Sequence, residues 1–100
     1  MAPLLSDTAD YIDSGTGHLF GSQIDFDQYG IQKGDPVIII SGGGDMNDKM
    51  LIVQAIVDHR TIVIEGPTGR RPLSCTGVDF EIYSHANPNT AVYTPWMFGD

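Results

Sequence analysis

The residues able to do chemistry are few and dispersed. In residues 41–49, SGGGDMNDK, three consecutive glycines precede Asp45, Asn47 and Asp48. Such a run could cradle a phosphate on backbone N–H groups or offer oxygens to a calcium ion. Neither pattern is complete. A phosphate loop ends in Gly-Lys-Ser/Thr and opens a helix, and an EF-hand loop needs a glycine at its sixth position and a distant glutamate. The stretch reads instead as a flexible hairpin tip, with Gly43 and Asp45 suited to reach a neighbouring molecule. His18, His59, His85 and Cys75 stand alone in the sequence, without the spacing of a nucleophile and base, a carboxylate pair or a metal-ligand set. No catalytic residue, metal ligand or cofactor is therefore assigned. Arg70 and Arg71 are the one adjacent pair of cations, inside the loop GPTGRRPLSCT. Phosphate grips recruit several cations, so the pair reads as a turn or an assembly contact.

Charge excludes one class of function. Thirteen acidic residues stand against five basic ones, a formal net charge of −8. Proteins that bind nucleic acid draw affinity from cations that neutralise phosphates, so no sequence-specific nucleic-acid binding is expected. No stretch approaches the ~20 apolar residues that span a bilayer, and the acidic N-terminus MAPLLSDTADYID lacks a basic region, so neither a membrane partner nor a signal peptide is expected. The single cysteine forms no internal disulfide; it fits a reducing compartment and reads as a small buried or half-buried residue.

The elements that must carry these residues are strands. Glycine and proline punctuate the chain, and no window keeps an uninterrupted helical spacing; residues 9–12 make a short helical turn at most. Residues 36–40, 50–57 and 61–65 are rich in β-branched side chains and bounded by turn formers. Lys-Gly-Asp-Pro announces the first of them. Gly34 tolerates unusual backbone angles, Asp35 bonds its own local backbone, and Pro36 sets φ where a missing N–H does least harm, so all three read as structural. Val37 to Ile40 do not alternate with polar residues, which predicts a strand covered on both faces, by the core and by another segment or subunit. DHRT turns the second run into the third, with His59 exposed. Residues 78–85 alternate, with Val78, Phe80 and Ile82 on one face, and Leu19, Phe20, Ile24 and Phe26 supply further core. Four to six such strands make an all-β fold: a small antiparallel SH3-like or OB-like barrel or sandwich. Residues 19–85 form this domain, flanked by an N-terminal arm (1–18) and a C-terminal arm (86–100).

The order Phe26, Gly30-Ile31, Lys33-Gly34-Asp35, Val37 and Ile39, a glycine-rich tip, LIVQAIVD, TIVIEGP and FEIY resembles small β-barrel virion proteins of tailed bacteriophages. The resemblance covers about Phe20 to Tyr83. It departs at DMNDKMLIV, where a glycine and an aromatic would lead into the second strand. It implies a non-enzymatic structural protein of the head-to-tail region, a neck, adaptor or head-completion component assembled in the host cytoplasm into the virion. Its implied partners are portal, capsid or tail proteins and further copies in an oligomer or ring. Capsid decoration and a cytosolic peptide-binding SH3-like module are the alternatives. The tail adds a reason of its own. Residues 86–100 hold Tyr93, Trp96, Met97 and Phe98, whereas solvated tails are poor in aromatics. The expectation is that Trp96, Met97 and Phe98 bury against another chain, the alternative being a tail that folds back over its own barrel.

Overall fold

The structure, a computed structural model, describes residues 2–87 and 92–98. Seven strands form one sheet: β1 (Leu5–Ile12), β2 (His18–Phe20), β3 (Pro36–Ser41), β4 (Lys49–Asp58), β5 (Thr61–Glu65), β6 (Cys75–Ile82) and β7 (Thr94–Pro95). Their order is β3-β6-β1-β2-β5-β4-β7, and a further β3–β4 pairing closes the first six into an antiparallel barrel. β7 adds to β4 in parallel. The fold class expected from the sequence is thus what the chain adopts, with two short 3₁₀ turns at Phe26–Tyr29 and Gly44–Met46.

β-Branched runs became strands where expected, and their faces follow the pleat. Val37 and Ile39 point into the core, while Ile38, on the opposite face, is equally buried. The double cover ends at Ile40, where a register shift against β6 leaves the side chain exposed. β4 is apolar from Met50 to Val57 except at Gln54, and it behaves as two halves. Leu51 and Val53 are core residues, whereas after a register shift at residue 54 the run Ala55, Ile56, Val57 lies exposed.

The N-terminal arm is the main correction. Residues 5–12 form β1, which pairs with β6 along seven register positions and with β2 on its other side. Its buried residues Leu5, Ala9 and Ile12 are spaced by four and three, a helical rhythm in an extended strand. The inward face changes between Ala9 and Ile12, where the ladder passes Gly77 of β6 at φ 61°, a conformation costly for any side chain. Residues 9–12 are therefore strand and not a helical turn. The tip 41–49 is a second correction. Met46, the lone apolar residue among glycines and acids, is fully buried in the core, and its Sδ accepts the Leu73 N–H. Asn47 Oδ1 accepts the Gly43 N–H and the Asp48 N–H bonds Ile39 O, so the loop is folded down.

Asp35 holds the barrel's closing seam. Its main chain exchanges bonds around β4, with Gly34 N–H to Val53 O and Val53 N–H to Asp35 O. Its carboxylate is buried, accepts the Gln32 N–H at 2.8 Å and the His85 N–H at 3.1 Å, and pairs with His85 Nδ1 at 2.7 Å. The side chain thereby ties the entry to β3 to the exit of β6, while the main chain beside it ties the same point to the middle of β4. Asp35→Ala strands two backbone donors, and we expect it to lower unfolding stability by about 2–4 kcal/mol, with Asp35→Asn losing less. Urea denaturation checks this; an unchanged midpoint for Asp35→Ala would remove the seam role.

Candidate interaction site

The residues singled out for assembly converge, although not as an outward arm. β7 lies beside the start of β4 with Thr94 opposite Lys49 and Pro95 opposite Met50. Pro95 lacks an N–H, so the next donor matters, and Trp96 N–H bonds Met50 O at 2.9 Å. The indole is 3% exposed. Its Nε1–H donates to Arg71 O at 3.0 Å, and the Arg70 guanidinium stacks over the ring with its carbon 3.6 Å from the centroid. Arg70 also donates from Nη1 to Met97 O at 2.8 Å. Under the segment lies Gly66, where a Cβ would overlap the Trp96 carbonyl oxygen.

In the single chain Trp96 follows the alternative reading and packs on its own barrel. An indole and an arginine in one chain satisfy each other at far higher local concentration than a partner supplies. Met97 is half-buried. Phe98 is 70% exposed, and Val92, ahead of the anchor, is 83% exposed. Tyr93 is half-buried, close enough to Tyr83 to influence its ionisation. The parts of the expected arm at 88–91 and 99–100 lie outside the described residues.

The loop residues divide. Asp45 joins Lys49, Arg70 and Trp96 around a crevice beside the segment. Gly43 instead faces inward, and a Cβ there would come 2.5 Å from Ile39 Cγ2. Arg71 spans to the N-terminal region, donating to Gly15 O at 3.0 Å. The third arginine, Arg60, donates to Ile24 O at 2.7 Å, so every arginine of the chain clips a backbone carbonyl.

Two further features escaped the sequence. Asp35 and His85, 50 residues apart, meet as described above. Tyr11 and Phe20, paired across β1 and β2, stack at 5.2 Å on the outside of the barrel, with Val63 and Ala55 paired on the same outer surface and Ile56 and Val57 beyond them. Alternation in β2 and β5 could have flagged this face, because Leu19, Ile62 and Ile64 already fill the interior.

Groups with proton chemistry are not gathered. Among the described residues no three His, Cys, Asp or Glu side chains stand together as a metal group, and no helix is long and apolar enough to cross a membrane. Burial raises the Cys75 thiol above its ordinary range. The hydroxyls of Thr8, at 2.5 Å, and Ser41, at 2.8 Å, hold the Asp79 carboxyl below its ordinary value and link β1, β3 and β6 on the surface.

Two measurements probe this surface. Arg70→Ala removes the stack and the Met97 bond; we expect the segment to open more often by about 1–2 kcal/mol, seen as faster acrylamide quenching of Trp96, the chain's one tryptophan. Unchanged quenching would deny Arg70 its clamping role. Tyr83 donates to Glu81 Oε1 at 2.8 Å, and that bond, with desolvation and the neighbouring negative charge, pushes its phenol up to about 12 from 10.0. Above pH 10 the unfolded chain loses this proton first, so the contribution to stability is present below that pH and gone by about 12. In an alkaline absorbance titration one of the four tyrosines should ionise late, and Tyr83→Phe should remove that late step. A wild-type titration without a late step would refute the assignment.

Compared with models of known protein families, with curated proteins and with solved structures, this chain matches none.

Proposed function

We propose that the chain is a structural, non-enzymatic component of a tailed-phage virion, positioned at the head-to-tail interface among portal, capsid or tail proteins and further copies of itself. The observation that carries the reading is the C-terminal segment. It is clamped by Trp96 yet turns Val92 and Phe98 to solvent, and a fixed backbone presenting apolar side chains is a docking element. The exposed Ile56 and Val57 at the β4–β5 hairpin add a second contact of the same kind. A net charge of −8 suits a wall along which DNA passes, since a negative surface does not retain a polyanion. The resemblance over Phe20 to Tyr83 supports the tailed-phage reading.

The test separates docking from folding. Phe98→Ser and Ile56→Ser change exposed positions and should leave unfolding stability within about 0.5 kcal/mol. Combined in a chain that complements a phage lacking its own copy, they should lower incorporation into particles by about tenfold or more, the loss of one interface anchor. Particles that incorporate the doubly substituted chain at the wild-type level would overturn the proposal.

A further inference from the structure

The C-terminal segment and its seat are two halves of one specific recognition. All of the seat lies in residues 49–71: the Lys49–Met50 edge, Gly66, the Arg70 guanidinium and the Arg71 carbonyl. Among the described residues the occupant is 94–97. The contacts among the described residues include a two-residue parallel ladder, one indole hydrogen bond, one cation–π stack and the Arg70 bond to Met97 O, all made to an extended Thr-Pro-Trp-Met strand. This is β-strand addition with an aromatic anchor, a mode that serves equally within and between chains. Gly66 reads the strand's main chain. Its φ is not in the left-handed region, so the requirement for glycine there is room, chiefly for the Trp96 carbonyl and also for the Arg70 Cβ, 3.3 Å from where a Cβ would stand.

We propose that this seat also accepts the same segment from a second copy, so that neighbouring copies exchange C-terminal segments and each seat is completed by its neighbour's Trp96. The proposal deepens the assembly reading and rests on it. A second copy is the occupant the structure supports, because it brings the very strand already seen to fit. In the internal arrangement Val92 and Phe98, on either side of the seated strand, stay 83% and 70% exposed. A tethered segment acts at about millimolar effective concentration, so an isolated wild-type chain at micromolar concentration keeps its own segment, and exchange belongs to the crowding of an assembly. Two surfaces of net charge −8 repel, so exchange strengthens as salt rises.

Complementary variants of the full chain test this. Gly66→Ala blocks the seat but keeps the segment and the one tryptophan; Trp96→Ala keeps the seat but loses the anchor. By sedimentation velocity each variant alone should be a monomer, and the mixture should form a 1:1 complex that tightens with added salt. On mixing, the tryptophan emission of Gly66→Ala should move to shorter wavelength. A mixture that stays monomeric with unchanged emission overturns the proposal. Circular dichroism establishes that each variant is folded; should Trp96→Ala not be, Trp96→Phe serves as acceptor, since a phenyl ring packs but cannot bond Arg71 O. As an independent donor, a synthetic peptide of residues 92–98 should bind the acceptor variant at least ~10²-fold more tightly than wild type, whose own segment competes. Equal affinity for both, or none, counts against exchange. Failure here together with the particle defect of the Phe98 and Ile56 variants would discard exchange and keep the assembly reading.

Discussion

A buried carboxylate governs this barrel. Closing a sheet of six short strands leaves one seam where the last pair must meet, and here it is β3 against β4 and β6. Asp35 stands at that seam with its oxygens saturated by N–H groups from before β3 and after β6. An ionised group out of water is tolerable only when its hydrogen bonds are met, so the geometry of three chain segments is coupled at one point. A shift of any of them strands a charge. The position of β6's exit, and hence the direction in which the chain leaves for its C-terminal segment, follows from that coupling.

The interior is filled by aliphatic side chains and two tilted rings, Phe26 and Phe80, at 6.5 Å. Filling it leaves little for the outside to do except meet solvent or another molecule. The three arginines turn to backbone carbonyls, Ile24, Met97 and Gly15, and hold connecting segments against the barrel. They act as clips, and the surface stays strongly acidic. Such a surface repels like-charged molecules, and Phe98, Ile56 and Val57 stand on it as exposed apolar side chains.

Much of the barrel was legible because its central strands advertise themselves. The runs around Val37, Leu51 and Ile62 are β-branched and bounded by Pro36, Asp58 and Gly66, and Phe80 and Ile82 alternate with acids. β1 was not legible. Leu5, Ala9 and Ile12 fall at a helical spacing because the inward face changes along the strand opposite Gly77, a property of the pairing and not of the segment. Met46 was hidden for a related reason: one apolar side chain among glycines and acids has no period to betray it. The candidate site was half legible. An aromatic tail with a proline reads as a docking strand, but nothing local says that its groove lies between β4 and the Arg70–Arg71 loop of the same chain.

The sequence by itself determined the class of fold, the acidic exterior and the presence of an aromatic anchor, since propensity, charge and composition are local quantities. Tertiary structure alone decided which partner each special residue found. Asp35 meets His85 across 50 positions, Met46 enters the core, and Trp96 settles between Arg70, Arg71 and Gly66. These pairings arise from barrel closure, which brings distant segments together only after every strand has its register, and register is a collective property that no single stretch encodes.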